Sequence, residues 1–180
     1  MERRQQIFSA ALALAVWAGP AQATPPVERD PAWAVVDARN QLTGLRGPVA
    51  VAFGVVQERG QTRPATLHID CLEGSTTVRI DAAGLRPGPF AVAVRHSLDG
   101  GRFVPSSWPA AADQDGLEVS GSRAIQFASE LYGKTELRLA VVRPLSVPLL
   151  FTFVVDDAEA ALRPLAERCQ WTAGPSISER

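Results

Sequence analysis

Apolar and polar side chains alternate along short segments over most of the chain, and this pattern constrains the fold more than any other feature. In residues 49–55, Val49, Val51, Phe53 and Val55 occupy one face of an extended segment. A period of two is typical of a half-buried β-strand, and turn residues bound the segments at the spacing of a sandwich or barrel. Further alternating segments are 67–71, 78–80, 90–94, 117–119, 137–141 and 149–155, with a weaker one near 102–104. We predict a mainly β, β-sandwich-like antiparallel domain of seven or eight short strands.

Glycine and proline residues mark the connections between these segments. Gly60 and Pro64 bracket one predicted turn, and Asp99-Gly100-Gly101 suits a hairpin because glycine tolerates positive φ. The remaining connections are a turn region at 40–48, a loop at 84–89 and an irregular region at 105–115 that contains Trp108.

Two segments have helical spacing, one before the last predicted hairpin and one near the C-terminus. Ser122 can cap the first helix and Gly133 can follow its end, whereas Asp156 or Asp157 can cap the second. Pro164 is predicted to bend or shorten the second helix, because proline lacks a backbone donor. The apolar faces are Ala124, Ile125, Ala128 and Leu131 in the first helix, and Ala158, Ala161, Leu162, Leu165 and Cys169 in the second.

The first 23 residues have the pattern of a secretory signal peptide. Glu2-Arg3-Arg4 precedes an uncharged, mostly apolar run at 7–18, and the segment closes with Ala21-Gln22-Ala23. The apolar run is too short for a bilayer, which needs about 20 apolar residues. We therefore expect cleavage after Ala23, no stable membrane insertion after processing, and a periplasmic or otherwise secreted product. After the signal peptide at 1–23, we predict a linker at 24–31, a single domain at 32–172 and a flexible C-terminal tail at 173–180.

Cys71 and Cys169 remain after processing, and an even pair in an oxidising compartment usually forms a disulfide. Cys71 alternates with polar neighbours and should point inward, so the bond would join the last helix to a core strand. Two buried free thiols are the alternative. The chain-entropy model gives about 4–5 kcal/mol for a loop of nearly 100 residues, as an upper value.

The charge and the residue types offer little for catalysis or nucleic-acid binding. The formal net charge is −1, and the arginines are scattered, so no basic surface is predicted. His68 and Asp70 share a strand face and could form a metal or base–orienter pair, although a solvated strand face is the more ordinary interpretation. His96 lies on an apolar face and is expected in the core or at its rim. We predict no catalytic residue, metal or cofactor.

Two tryptophans are candidates for ligand contact. Trp108 and Trp171 each offer a broad apolar face and one hydrogen-bond donor, although anchoring the rim of the core is the simpler role.

Asp156-Asp157 could act as a carboxylate pair, but a helix cap is the favoured interpretation.

A set of spaced residues resembles the TagO/VasI-like family of secreted proteins associated with type VI secretion systems. The match covers roughly 33–171. It consists of Cys71, Ser75-Thr76-Thr77, Trp108, the 122–127 segment with Leu131 and Gly133, Leu137, Leu139, Val141, Pro144, Phe153, and the 165–171 segment ending in Cys169-Gln170-Trp171. The family's Y-R-x-D segment falls on residues 94–99, where Arg95 and Asp99 are too far apart for that spacing, and Gly74 also departs from the pattern.

The resemblance implies a non-enzymatic periplasmic accessory protein whose partner is an envelope or secretion-apparatus protein. It carries over no catalytic residue, and it makes Arg95 and Asp99 candidates for binding, together with Trp108. One alternative is a stand-alone β-sandwich that binds a glycan or small molecule, with Trp108 and its proline-containing loop as the platform. A cell-wall hydrolase is a further alternative, but it needs a polar cluster that two histidines do not provide.

Overall fold

The computed structural model describes residues 31–39, 46–87, 92–143 and 147–171. In this part of the chain, nine strands and two helices follow one another. They are β1 (Trp33–Arg39), β2 (Arg46–Glu58), β3 (Gln61–Leu72), β4 (Ser75–Ala82), β5 (Val92–Leu98), β6 (Val104–Trp108), β7 (Gly116–Ser120), α1 (Ser122–Glu130), β8 (Glu136–Val142), β9 (Leu149–Val154) and α2 (Ala158–Arg168). The predicted mainly β antiparallel domain with a short internal helix and a C-terminal helix is confirmed.

The nine strands form one antiparallel sheet that nearly closes on itself. Its order is β6-β5-β8-β9-β2-β3-β4-β7, and β1 pairs with β2 beside this path. The two terminal strands meet just after β6, where Ala110 bridges Leu117 and the Ala111 amide donates to the Gly116 carbonyl at 2.9 Å. We call the line between β6 and β7 the seam, and α1 packs against β4 and β7 beside it.

The interior is filled by apolar side chains from almost every element. Phe151 and Phe153 of β9 are fully buried, and their rings are stacked with centroids 6.3 Å apart. Gly54 of β2 pairs with Phe153, and a Cβ there would lie 2.3 Å from the Thr152 carbonyl oxygen. The Phe153 ring and the neighbouring backbone thus occupy the space that a larger side chain at Gly54 would need.

The two faces of β2 therefore differ in the size of their side chains, and the larger ones are not on the buried face. Ala50, Ala52 and Val56 are buried, so the small side chains mostly face inward. The bulkier Phe53 and Val55 of the alternating set face outward and are exposed.

A disulfide joins Cys71 of β3 to Cys169 just after α2, as predicted, with the two Cα atoms 5.8 Å apart. Next to it, the Trp171 indole donates to the Thr76 hydroxyl at 2.6 Å. These bonds attach the end of α2 to β3 and β4, and α2 itself packs on β1, β2 and β3. Trp171 therefore anchors the rim of the core.

Several predicted boundaries are wrong, each for a local reason. The turn before β3 needs only Arg59 and Gly60, which both have positive φ, so Pro64 lies within β3. Trp108 ends strand β6 instead of lying in an irregular loop, since edge pairing with β5 tolerates Pro105 and the serines after it. Further differences are that Gly47 and Pro48 belong to β2 and that β1 adds a ninth strand.

The helix ends also differ from expectation. The first helix begins at Ser122, and its N-cap is Gly121, whose φ of 66° favours glycine. The second helix has Asp157 as N-cap in the left-handed region, without a side-chain capping bond, and it continues four residues beyond Pro164. The predicted signal peptide (1–23), residues 24–30 of the predicted linker (24–31), the tail (173–180), turn residues 40–45, Phe90 and Pro144 lie outside the described residues. Within the described residues, no helix is long and apolar enough to span a membrane.

Candidate functional site

A groove of about 220 Å³ lies along the seam, between β6 and α1. All five residues of β6 line one wall, and four residues spaced along one face of α1 line the other. Those α1 residues are Arg123, Gln126, Phe127 and Glu130, and His96 and Val119 complete the lining. We call this the seam groove.

The floor of the seam groove is aromatic. Trp108 is 2% exposed, and its ring meets Phe127 edge to face with centroids 5.3 Å apart. The Trp108 indole donates to the Ser106 hydroxyl at 3.0 Å. Trp108 is therefore a buried supporting residue beneath the groove, and the prediction of an open platform in a loop is wrong because Trp108 ends strand β6 with its side chain buried.

One end of the groove holds a hydrogen-bonded polar group. His96 is 8% exposed, and its Nε2 lies 3.1 Å from Glu130 Oε2, while the Gln126 amide donates to Glu130 Oε1 at 3.0 Å. Both carboxylate oxygens of Glu130 are thus occupied. His96 Nδ1 has no hydrogen-bond partner among the described residues.

Arg123 lies in the first turn of α1, three residues before Gln126 and seven residues before Glu130. Its guanidinium donates to the Ser107 carbonyl at 3.5 Å, and it makes no ion pair within the described ranges. The first turn of α1 has neither an acidic residue nor a side-chain cap. This end of the groove therefore carries uncompensated positive charge.

Arg95 and Asp99 are not brought together as a binding pair. Arg95 is exposed on the outer face of β5. Asp99 instead accepts three hydrogen bonds at Oδ1, from the Thr135 amide at 2.9 Å, the Thr135 hydroxyl at 3.0 Å and the Glu136 amide at 3.1 Å. These bonds hold the pKa of Asp99 below its usual value. Asp99 thus secures the β5–β6 hairpin against the start of β8.

His68 and Asp70 share the outer face of β3, but each has other neighbours. His68 Nε2 lies 2.9 Å from the Thr66 hydroxyl and 3.6 Å from Asp81, and burial lowers its pKa. Burial, with the nearby charge of Glu118, raises the pKa of Asp70 to about 6. No group of three or more potential metal ligands occurs among the described residues.

A second surface lies on the outer face of β2 and β9. Phe53 is 64% exposed and Val154 is 52% exposed. Because Gly54 pairs with Phe153, the same register places Phe53 next to Val154, and Val51 and Val55 flank Phe53 on the same face. We call Val51, Phe53, Val55 and Val154 the β2 apolar surface.

The β2 apolar surface continues toward an open strand edge. Ala34 of β1 pairs with Val51, and Val36 pairs with Val49, so the outer face extends onto β1. Within the described residues β1 pairs with β2 alone, which leaves its other edge without a neighbouring strand.

Comparisons with known proteins add little. No protein-family model matches the chain, and no curated protein matches it. The crystal structure of invasion associated protein B from Bartonella henselae is similar, with 12% identity and a TM-score of 0.49, over 76% of this chain and 92% of that chain. A similarity this low supports no inference about function.

Among the groove-lining residues, sequence reasoning singled out Trp108 and His96, and it placed His96 in the core or at its rim, where the structure has it. The polar residues Arg123, Gln126 and Glu130 recur at helical spacing, which could have indicated a second functional face of α1. His96 is far from them in sequence, and only the packing of β5 beside α1 brings it to Glu130.

Proposed function

We propose that this chain is an exported, non-enzymatic accessory protein that binds another protein of the cell envelope through the β2 apolar surface. The observation that carries the proposal is the exposure of Phe53, a large aromatic side chain on a regular strand next to the exposed Val154. Large apolar groups clustered on a soluble domain often mark interaction sites, and aromatic residues dominate such interfaces.

The expected contribution of Phe53 can be bounded from its exposure. Full burial of a phenylalanine side chain contributes roughly 1.5–3 kcal/mol. Since 64% of Phe53 is exposed, a partner that covered it would gain about two-thirds of that amount. The gain, on the order of 1–2 kcal/mol, corresponds to roughly a 5- to 30-fold change in affinity.

The open edge of β1 suggests how a partner would be oriented. A partner strand that added to β1 would form main-chain hydrogen bonds and would bring its side chains next to the β2 apolar surface. Ala34 and Val36 would lie between the two contacts, on the face that they share with Val51.

The disulfide supports the exported location, because such bonds persist in oxidising compartments. The resemblance to TagO/VasI-like proteins agrees with a periplasmic accessory role and favours a partner from a secretion apparatus. We also propose that the chain is cleaved after Ala23 and that its partner belongs to a type VI secretion system.

Affinity enrichment from envelope extracts tests it. We expect Phe53→Ser to lose a protein that the unmodified chain and a Phe103→Ser control both retain, and we expect that protein to bind the purified chain directly. Phe103 is a matched control, since it is also an exposed phenylalanine but lies in the β5–β6 connection. Unchanged melting of Phe53→Ser would show that the fold is intact. Equal recovery with Phe53→Ser would contradict the proposal.

A second candidate is a ligand-binding domain, and the seam groove is the observation that favours it. Its aromatic floor, with polar side chains available to orient a ligand, is typical of small-molecule sites. The buried position of Trp108 means that a ligand would rest above the indole against α1, without stacking on an exposed ring.

A further inference from the structure

We infer that the seam groove binds a carboxylate attached to one compact apolar group, with Arg123 as the partner of the carboxylate. This inference does not depend on the β2 apolar surface. The groove is on another part of the sheet, between β6 and α1.

The size of the groove limits the apolar part of the ligand. Its volume is about 220 Å³, whereas sites for drug-sized ligands span roughly 300–1,000 Å³. A single aromatic ring or branched aliphatic group fits this space. Trp108, Phe127 and Val119 supply the apolar contacts for it.

The charges of the groove determine where a polar group would lie. Arg123 has no carboxylate partner within the described residues, and the uncapped first turn of α1 adds to the positive potential. An arginine fork matches a carboxylate in geometry as well as in charge. The Arg123 end of the groove is therefore complementary to an anion.

The Glu130 end of the groove does not attract the ligand's carboxylate. Glu130 lies seven residues after Arg123, about 10 Å along the helix axis at 1.5 Å per residue. Both of its oxygens already bond to His96 and Gln126. The groove thus has a negative charge at the Glu130 end and a positive charge at the Arg123 end, and a carboxylate is attracted to the Arg123 end.

Two sources supply this chemistry: a free amphipathic acid, or the C-terminus of another chain that ends in an apolar residue. In the second case, the residues before that C-terminus would extend out of the groove along β6. The edge of β6 that faces α1 is the one that carries the Ser107 carbonyl, which accepts a hydrogen bond from Arg123. The experiment distinguishes these sources.

The test uses calorimetry together with the NMR signal of the Trp108 indole N–H, which lies at the groove floor. The probes are phenylacetate and acetyl-Gly-Ser-Gly-Phe, each compared with its neutral amide. We expect at least one carboxylate probe to bind, to shift the Trp108 signal, and to bind more tightly than its amide. In Arg123→Gln its affinity should fall at least about tenfold, which corresponds to roughly 1.4 kcal/mol.

Arg163→Gln is the control, because Arg163 is an exposed arginine on α2, which packs on β1, β2 and β3. Binding of phenylacetate alone would identify a free acid as the source, and binding of the peptide alone would identify a chain terminus. The inference is overturned if neither carboxylate binds, if the amides bind equally well, or if Arg123→Gln has no greater effect than Arg163→Gln.

Discussion

Removing the Cys71–Cys169 disulfide should destabilise the domain more than a typical substitution does. The bond joins positions 98 residues apart. In the chain-entropy model, a loop of about 100 residues contributes about 4.7 kcal/mol, as an upper value because native-state strain reduces it. For a domain of about 150 residues, each 1 kcal/mol changes Tm by about 2–4 °C. Loss of the bond should therefore lower Tm by up to about 9–19 °C.

The assay is thermal unfolding followed by circular dichroism. The oxidised protein is compared with the same protein after reduction and with the double variant Cys71→Ala/Cys169→Ala. Alanine avoids placing a hydroxyl at Cys71, which is buried. Hydrogen exchange should also show that the amides of Leu162 and Leu165 lose protection first, because the bond attaches the end of α2 to β3.

A Tm change below about 2 °C, with complete reduction verified by alkylation, would refute this reasoning. It would mean that the packing of α2 and the Trp171–Thr76 hydrogen bond hold the C-terminal helix without the disulfide.

Three other predictions concern single positions. Gly54→Ala should destabilise the fold by about 1–3 kcal/mol, because its Cβ would clash with the Thr152 carbonyl oxygen. Urea unfolding measures this loss, and an unchanged midpoint would count against the described β2–β9 packing. The pKa of Asp70 is raised to about 6, so its ionisation costs stability as the pH rises from about 4 to 6. Asp70→Asn should therefore raise Tm at pH 7.5 relative to the unmodified chain, and this gain should shrink as the pH falls from 6 to 4; a gain independent of pH would contradict the assignment. Asp99→Ala should lower Tm clearly more than Arg95→Ala, since only Asp99 accepts hydrogen bonds across the hairpin, and equal effects in a thermal-shift assay would contradict that role.

The alternating pattern predicted most strands, because a strand with one buried face has a sequence period of two. It identified the two faces of β2 without indicating which one points inward. That direction depends on Phe151 and Phe153, which fill the interior opposite the small side chains of β2. Local sequence cannot report which distant strand occupies the same space.

The course of β6 was missed for a different reason. Val104-Pro105-Ser106-Ser107-Trp108 contains a proline and two serines, and Trp108 is its one buried residue. An edge strand satisfies only one side of its backbone through the sheet, so it tolerates residues that would argue against a central strand. The disulfide, in contrast, followed from composition and the predicted compartment alone.

The central claim is that Phe53 contacts a protein partner in the cell envelope. Its most direct test places a photocrosslinking amino acid at position 53 in the native organism, with position 103 as the matched exposed site. The account predicts a covalent adduct with a specific envelope protein from position 53 and none from position 103. If position 53 gives no adduct, or gives the same products as position 103, the claim is wrong.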